Sequence, residues 1–405
     1  MIKIAVLGSY STQILVKELK SSLNDALIYE SDYNQIDQEI INGKSELYKF
    51  NPQIIIIHET VISFKSVFYN YKGSKLNFYK NRIDRINGLI LAINDFSQNI
   101  KIIYTSYDLD CNLLYGNFYP KIPESFDIQL NYFNYELIKF CSLNENFFLL
   151  DINKLALNNK NYRDERLLIN FDIHFSISFI KVLAENLKNL INSFSGTFAK
   201  CIILDLDNTI WGGSIGEIGQ ENIEIGEVGI GRAFSNLQKW LKSLKDRGII
   251  LCVCSKNEEM TAKKPFIKHP DMILKLDDIA LFVANWKNKV DNINYIKSSL
   301  NIDYTSIVFL DDNPFERKLV KENLSDLIVP ELPKDPTKYL SFLTSQNLFE
   351  ISNYSKFDKE RTKIYQISEK RKEIETSTFS IENFLKSLKM KATINTIDKD
   401  NISRV

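Results

Sequence analysis

The stretch Cys201–Gly213, CIILDLDNTIWGG, places two carboxylates directly after an apolar run. Its first four residues read as a buried strand, and Asp205 and Asp207 follow two positions apart. Neighbouring negative charges repel each other, and removing them from water is costly. A bound divalent cation or a phosphate chemistry would compensate for that cost, whereas a purely structural role would not. The stretch therefore predicts a strand whose end carries a chemical site.

Apolar strand patterns alternate with amphipathic helix patterns on both sides of this stretch. Before it, the predicted strands are IKIAVLG, PQIIIIHE, KIIYTSY and NFFLLDI, and the predicted helices are TQILVKELKSSL, RINGLILAIND and FIKVLAENLKNLINSF. After it come strands IILCVCS, SIVFLDD and LIVPELP, and helices AFSNLQKWLKSLKDRG, NINYIKSSLN and PFERKLVKENL. Buried strands separated by helices form parallel sheets covered on both faces. The predicted fold class is α/β, with two doubly wound parallel-sheet domains.

Turn residues and changes in composition suggest where these domains end. The turn-rich SGTFAK closes the first domain, predicted at 1–196, and the second is predicted at 197–345. Residues 346–405 begin with the charged, helical pattern KFDKERTKIYQISEKRKEIE and end in FLKSLKMKATINTI. This last part is predicted to be a helical linker followed by a partial α+β segment.

The overall composition excludes several classes of protein. The chain has 405 residues, and its 51 basic residues balance its 51 acidic ones, so no net field draws it to nucleic acid. The sequence offers neither a signal-peptide pattern nor an apolar stretch long enough for a membrane span. Five cysteines without a framework spacing fit a reducing compartment. We expect a cytoplasmic location, with neither nucleic acid nor membrane as a partner.

Polar groups follow several of the predicted strands in the second domain. In open α/β sheets, ligands bind beyond the carboxyl ends of the strands. The groups predicted at that edge are Asp205, Asp207, Ser255, Asp311 and Asp312, with Lys289 just before a helix. A carboxylate can attack phosphorus, a second can transfer the leaving-group proton, and a hydroxyl and an ammonium can hold phosphoryl oxygens. Carboxylates are also ligands for Mg²⁺, so the set predicts phosphoryl chemistry.

The motifs DLDNT, SKN, K and LDDNP, in this order, resemble the four motifs of the haloacid dehalogenase (HAD) superfamily, subclass IIIC. More narrowly, LDLDNTIWGGSIGE, GRAFSNLQKWLKSLKDRGIILCVCSKN, FIKHPDMILKLDDIALFVANW and VFLDDNPFERKLV resemble the FkbH family, over residues 200 to 370. The resemblance implies a HAD-like Rossmannoid domain without a large cap, and Mg²⁺ as cofactor.

The resemblance also implies roles for individual residues. Asp205 would be the nucleophile, and Asp207 the general acid/base, with its backbone carbonyl as a metal ligand. Asp312 would bind Mg²⁺ with support from Asp311, although the sequence leaves the order of these two open. The phosphate and substrate would contact Ser255, Lys256, Asn257 and Lys289, with Lys287 as the rival lysine.

FkbH-like enzymes transfer the glyceryl unit of 1,3-bisphosphoglycerate to the phosphopantetheine thiol of an acyl carrier protein, in polyketide-like or surface-glycan biosynthesis. The expected partners are therefore a small phosphorylated metabolite and a carrier protein. The segments between Thr209 and Ala233 and between Ser255 and Lys289 are too short for a cap domain, so a carrier-borne arm could reach the site. Two alternatives stay open: a simple phosphohydrolase of a small metabolite, and a carrier-protein docking module.

Cys254 precedes the predicted phosphate-binding serine. It could carry an acyl thioester during transfer. The alternative is a buried strand cysteine that packs as a small hydrophobe, and strand alternation favours this alternative because it turns Cys254 away from residue 255.

The first domain resembles the SGNH hydrolases in degenerate form. In VLGSYST, Gly8 and Thr12 match the first block of that family, but Ser9 and Tyr10 stand where its Asp and nucleophile are expected. Ser9 or Ser11 could substitute for the nucleophile, but neither keeps the family's spacing. Asp172 and His174 are one residue closer together than the family's D-x-x-H pattern requires. We expect a docking or substrate-shaping domain in which His58 is structural.

The role of His269, in the second domain, is unassigned. The final residues resemble the start of an acetyltransferase-like region.

Overall fold

A computed structural model describes residues 1–23, 25–109, 114–159, 161–355 and 360–367. The chain divides into two compact units, residues 1–191 and residues 192–405. The predicted acetyltransferase-like start, residues 384–405, lies outside the described residues. Among the described residues, no helix combines the length and the apolar character needed to cross a bilayer.

The first unit is built on a five-stranded parallel sheet. Its strands are β1 (Ile2–Gly8), β2 (Ala26–Glu30), β3 (Ile54–His58), β4 (Lys101–Thr105) and β5 (Phe147–Leu150), in the order β2-β1-β3-β4-β5. Every residue of β3 is buried, as expected for a central strand with helices on both faces. The sequence analysis did not predict β2, an edge strand of five residues that is only partly buried.

Helices connect and cover these strands. They are α1 (Gln13–Ser22), α2 (Ile36–Ile41), α3 (Glu46–Phe50), α4 (Val61–Asn70), α5 (Phe78–Phe96), α6 (Phe126–Leu143), α7 (Ile152–Leu157), α8 (Glu165–Phe171) and α9 (Ile177–Phe194). Short 3₁₀ turns lie at Lys75–Asn77 and Gly116–Lys121. Helix α6 also went unpredicted, although Ser125 caps its first turn by accepting a hydrogen bond from the backbone N–H of Ile128.

The second unit contains a four-stranded parallel sheet in the order β8-β7-β6-β9. Its strands are β6 (Cys201–Leu204), β7 (Ile250–Ser255), β8 (Leu281–Ala284) and β9 (Ile307–Leu310). Two parallel sheets with flanking helices confirm the predicted α/β class. The predicted strand LIVPELP is reduced to one bridge between Val308 and Ile328. Pro330 and Pro333 explain this, because proline has no N–H to continue a ladder.

The helices of the second unit place residues at the carboxyl edge of this sheet. They are α10 (Ile215–Ile218), α11 (Gly231–Asp246), α12 (Glu259–Lys268), α13 (Lys289–Leu300), α14 (Pro314–Asn323) and α15 (Tyr339–Ser345), with 3₁₀ turns at Leu276–Asp278, Tyr304–Ser306 and Pro336–Lys338. Asn288 caps α13, so Lys289 is its first residue, and Asn313 caps α14 directly after β9. The sequence reading missed α12, whose interior contains Pro265, and the four-residue strand β8.

One buried side chain links α11 to two loops of the second unit. Gln238 is fully buried, and its Nε2 donates a hydrogen bond to the backbone oxygen of Ile210 at 2.8 Å. Its Oε1 accepts hydrogen bonds from the backbone N–H groups of Ile273 and Leu274, both at 3.0 Å. Three buried backbone groups therefore depend on this one amide.

We expect Gln238→Ala to lower the free energy of unfolding by about 3 kcal/mol, because three buried backbone groups lose their partner. Chemical denaturation of both variants and the wild type measures this. The matched control is Lys239→Ala, which removes an exposed ion pair with Glu227 and should change the same quantity by less than about 1 kcal/mol. Equal losses in the two variants would contradict the prediction.

Candidate active site

Three carboxylates meet at the carboxyl ends of two neighbouring strands. Asp205 follows β6, and Asp311 and Asp312 follow β9, which pairs with β6 in parallel register. One side-chain oxygen from each of the three lies within 4.8 Å of the others. Asp205 is 6% exposed and Asp311 is completely buried. Because several buried anions at this spacing repel one another, the cluster needs a positive charge for stability.

Lys289 supplies one such charge. Its Nζ lies 2.9 Å from Oδ1 of Asp205 and 2.5 Å from Oδ2 of Asp311, and the residue is 3% exposed. Burial by itself would lower the pKa of Lys289, but the two carboxylates outweigh that effect and raise it, so the side chain stays charged. Lys287 is exposed. The structure thus places Lys289, and not its rival, among the carboxylates.

The lysine does not neutralise the cluster completely. Burial raises the pKa of Asp205 to about 6, Lys289 opposes that increase, and repulsion from Asp311 adds to it. Burial also raises the pKa values of Asp311 and Asp312. Three carboxylates share one ammonium, so two more carboxylates than the lysine can balance face the site. Carboxylate oxygens in this arrangement suit a hard divalent cation such as Mg²⁺.

Asp207 lies apart from that cluster, and three donors fix its carboxylate. Oδ1 accepts hydrogen bonds from Nε1 of Trp211 at 3.0 Å and from the backbone N–H of Ile215 at 3.1 Å. Oδ2 accepts one from Nδ2 of Asn257 at 3.0 Å. A carboxylate held in one orientation is suited to proton transfer.

Ser255, the last residue of β7, and the two residues after it make different contacts. Ser255 is 1% exposed, its hydroxyl hydrogen-bonds Asp205, and its Oγ accepts a hydrogen bond from Asn257 at 3.2 Å. Asn257 thus contacts both Ser255 and Asp207. The predicted substrate ligand Lys256 instead directs its Nζ to Oε1 of Glu316, at 2.6 Å, with 38% of its side chain exposed. Lys256 lies at the rim, and its ammonium is already paired.

Cys254 occupies the buried position that strand alternation predicts. It is fully buried, its Sγ lies 4.0 Å from the backbone oxygen of Lys289, and burial raises the pKa of its thiol to about 12. A thiol that is protonated and inaccessible is a poor nucleophile. These surroundings favour the packing role of Cys254.

The sequence reading did not assign three residues that support the site. Arg317 donates hydrogen bonds to the backbone oxygens of Asp311 and Asp312 at 2.8 and 2.7 Å. Thr209 accepts one from the backbone N–H of Asp312 at 3.1 Å and thereby joins the two acidic loops. Trp211 is fully buried beneath Asp207. Thr209 was visible within the DLDNT motif, whereas nothing in the spacing of Arg317 or Trp211 signals such contacts.

Only short segments stand over this edge of the sheet. In residues 209–230, all of which are described, regular structure amounts to α10 and two isolated bridges, a parallel one between Asp207 and Trp211 and an antiparallel one between Gly212 and Glu224. Residues 256–288, also described throughout, form α12, one 3₁₀ turn and β8. Neither segment builds a cap domain, in agreement with the predicted HAD-like domain without a large cap.

The candidate hydrolytic residues of the first unit do not form a triad. His174 directs Nε2 to Asp108, with its nearer carboxylate oxygen 3.1 Å away, while Asp172 accepts a hydrogen bond from Tyr33 at 3.0 Å. Among the hydrogen bonds of the described residues, none connects His174 to Ser9 or Ser11. The shortened spacing between Asp172 and His174 explains the failure, since Asp172 ends α8 in a left-handed conformation.

The remaining histidines contact the fold itself. His58 is fully buried, its Nδ1 lies 2.6 Å from Oγ1 of Thr105, and burial lowers its pKa to about 3. His269, just after α12, accepts a hydrogen bond at Nδ1 from the backbone N–H of Asp271 at 3.2 Å. Both sets of contacts fit structural roles.

We expect the affinity for Mg²⁺ to fall as the pH is lowered through about 6. Below that value protons compete with the metal for Asp205, whose pKa burial has raised, so the affinity should drop about tenfold per pH unit. Calorimetric titration with Mg²⁺ between about pH 5 and pH 8 measures this. Asp326→Asn is the control, because this exposed carboxylate lies outside the cluster and its change should leave the pH dependence unchanged. A constant affinity over that range would contradict the assignment.

Comparison with known proteins places this geometry in a family. Residues 3–192 match the family model described as FkbH, N-terminal domain. The chain is 39% identical to the N-terminal part of BF1531 from Bacteroides fragilis, a crystal structure that contains a phosphatase domain complexed with Mg; the TM-score is 0.83, over 87% of this chain and 95% of that one.

A second relative matches a shorter stretch. It is a HAD-like hydrolase superfamily protein from Schizosaccharomyces pombe, 25% identical over 166 residues, which cover 36% of this chain and 93% of the relative. The identity and coverage of the Bacteroides structure, together with the match of the N-terminal family model, confirm the resemblance that the sequence motifs indicated. This chain belongs to the FkbH-like proteins of the HAD superfamily.

Proposed function

We propose that this protein is a Mg²⁺-dependent HAD-type phosphatase that also transfers a three-carbon acyl unit to an acyl carrier protein. The observation that carries the phosphatase is the cluster of Asp205, Asp311 and the half-buried Asp312, in which Lys289 pairs with the first two. Such a cluster concentrates negative charge at the carboxyl edge of the sheet, where a metal ion and a phosphoryl group would balance it.

Asp205 is the nucleophile in this proposal. One of its oxygens attacks the phosphorus, and the bond from phosphorus to the leaving oxygen breaks. Asp207 gives its proton to that oxygen and later takes one from the attacking water, which releases phosphate and restores Asp205. The contacts of Asp207 with Trp211, Ile215 and Asn257 keep it in place for both transfers.

In this proposal the ammonium of Lys289 and the hydroxyl of Ser255 hold the phosphoryl group. Lys289 touches both Asp205 and Asp311, and Ser255 lies beside Asp205, so both can reach oxygens of a phosphoryl group bound to the nucleophile. Mg²⁺ would be held by Asp205, Asp312 and the backbone carbonyl of Asp207, with Asp311 in support. The metal supplies charge neutralisation for the phosphoryl oxygens.

The transferase step needs no further cofactor. In 1,3-bisphosphoglycerate, the acyl carbon is bonded to a phosphate oxygen. Attack by the phosphopantetheine sulfur forms the C–S bond, that C–O bond breaks, inorganic phosphate leaves, and the thiol proton is lost to a base. The 3-phosphoglyceryl thioester that results loses its remaining phosphate to water through the reaction of Asp205, which leaves glyceryl on the carrier. The absence of a cap in residues 209–230 and 256–288 supports this proposal, because an arm on a carrier protein needs an open approach.

A simple phosphohydrolase of a small metabolite is the second candidate. The burial of Cys254 favours it, because that cysteine offers no accessible thiol for an enzyme-bound thioester. Under this alternative, water takes the place of the carrier thiol as the final acceptor. A docking module without catalysis is the third and is disfavoured by the complete set of acidic residues.

We expect Asp205→Asn to abolish phosphate release while the protein stays folded. The amide matches the carboxylate in size and removes one of the repelling charges, but it cannot attack phosphorus. Release of inorganic phosphate from an aryl phosphate, in the presence of Mg²⁺, measures the loss, and circular dichroism monitors the fold. Asp326→Asn makes the same chemical change at an exposed position and should retain full activity. Normal turnover by Asp205→Asn would refute the nucleophile assignment.

Intact-mass measurement of a carrier protein distinguishes the transferase activity from the simple phosphohydrolase activity. We expect a holo carrier protein incubated with 1,3-bisphosphoglycerate and this protein to gain the mass of a glyceryl group. The apo carrier, which lacks the thiol, should gain none. Release of phosphate with an unmodified holo carrier would establish the phosphohydrolase and rule out the transferase.

A further inference from the structure

A second cavity lies at the carboxyl edge of the sheet in the first unit. Its volume is about 480 Å³, within the range of small-molecule sites. Ser9 follows β1 at its floor, Glu59 follows β3, and Arg82 projects from α5. This edge of a doubly wound sheet is where such folds bind ligands. No role in the phosphatase chemistry falls to any of these residues.

Glu59 forms the charged floor of the cavity and is 5% exposed. Its Oε2 accepts hydrogen bonds from the hydroxyls of Tyr104 and Tyr107 at 2.5 and 2.9 Å, and from Nη1 of Arg85 at 3.1 Å. Although burial would raise the pKa of Glu59, Arg85, Arg82 and the two tyrosines lower it, so the carboxylate is ionised. Arg85 also pairs with Asp37 through Nε at 2.9 Å, which satisfies its guanidinium.

Arg82 is not satisfied in this way. Its side chain is only 11% exposed, and the closest approach to Glu59 is 3.9 Å, between Nη2 and Oε1. Within the described part of the chain, Arg82 has no hydrogen-bond partner, and its Nε is buried without one. A buried charged donor without an acceptor is costly. The cavity therefore presents an arginine whose hydrogen-bonding capacity is unused.

Hydroxyl groups also line the cavity. Ser63 and Ser66 lie one turn apart on α4 and both face the cavity. Neither hydroxyl hydrogen-bonds another residue of the described ranges. Asp37 and Asp172 also line the cavity and provide acceptors, the latter already bound to Tyr33. Donors and acceptors of this kind match the hydroxyl groups of a ligand.

The charges limit what the cavity can hold. Arg82 and Arg85 face Glu59, Asp37 and Asp172, so the lining carries slightly more negative than positive charge. This balance disfavours a multiply charged phosphate. Because Arg85 is already paired with Glu59 and Asp37, Arg82 offers a place for a single negative group. Arginine binds a carboxylate with two parallel N–H donors.

We propose that the first unit binds a small hydroxy acid or sugar acid in this cavity. The carboxylate pairs with Arg82, and the hydroxyls of the ligand contact Ser63, Ser66 and the cavity's aspartates. This binding site is independent of the phosphatase centre and does not depend on the proposed transferase activity.

The test uses the full-length chain and D-gluconate, with sorbitol as the analogue that carries a hydroxymethyl group in place of the carboxylate. Protein-observed NMR titration gives the affinity of each. We expect D-gluconate to bind and sorbitol to bind at least about tenfold more weakly, because it lacks the charge-assisted hydrogen bonds to Arg82. Asp205→Asn should bind D-gluconate as the wild type does, since its change lies in the other unit.

Matched variants then test whether Arg82 binds the carboxylate of the ligand. Arg82→Gln should weaken D-gluconate binding at least about tenfold, whereas Arg166→Gln, an exposed arginine outside the cavity, should leave it unchanged. Ser66→Ala, a mild change at an exposed wall position, should weaken binding about two- to tenfold and keeps the test valid if Arg82→Gln does not fold. Absence of D-gluconate binding, equal affinity for sorbitol, or tighter binding of inorganic phosphate would overturn the proposal, as would unchanged affinity in Ser66→Ala and in folded Arg82→Gln.

Discussion

The ion cluster formed by Lys289, Asp205 and Asp311 is the constraint on which the second unit depends. Two carboxylates and an ammonium are buried together at distances of 2.9 and 2.5 Å. Burial of unpaired charge is costly, and two buried carboxylates and the half-buried Asp312 with one lysine leave charge uncompensated. The fold tolerates this excess because the site is where a metal ion and a phosphoryl group would complete the balance.

The sheet order brings these groups together. β6 lies between β7 and β9, so the loops after all three strands meet at one edge. Asn288 starts α13 at the right place to aim Lys289 into that edge, and Asn313 starts α14 immediately after the second acidic loop. Arg317 and Thr209 then hold the backbone of the acidic loops, which fixes the carboxylates relative to one another. Positioning in this site thus comes from caps and backbone contacts as much as from the charged groups.

The two units use the same edge of the same kind of sheet in different ways. In the second unit the excess charge at that edge is negative, and the donor Lys289 is fully engaged. In the first unit the carboxylate Glu59 is satisfied by three donors, and the unused group is the cation Arg82. An excess of acid suits a metal and phosphoryl transfer, whereas an unused arginine among hydroxyls suits the recognition of a carboxylate. The difference between the proposed reaction centre in the second unit and the proposed binding site in the first therefore lies in the polar residues at the strand ends. The sheets themselves are of the same kind.

The sequence by itself determined the α/β class, the position of the reaction edge and the residue types at it. Continuous apolar runs ending in acids are readable without coordinates, because burial and strand direction follow from the pattern. It did not reveal β2, β8 or α12, whose short, partly polar or proline-containing segments carry weak local signals. Only the tertiary structure decided that Lys289 enters the cluster while Lys256 pairs with Glu316. It also decided that Asp207 is held by Trp211 and Asn257, and that His174 pairs with Asp108 and Asp172 with Tyr33. Those outcomes depend on contacts between segments far apart in the chain, and no local periodicity encodes the direction in which a side chain at the end of a strand will point.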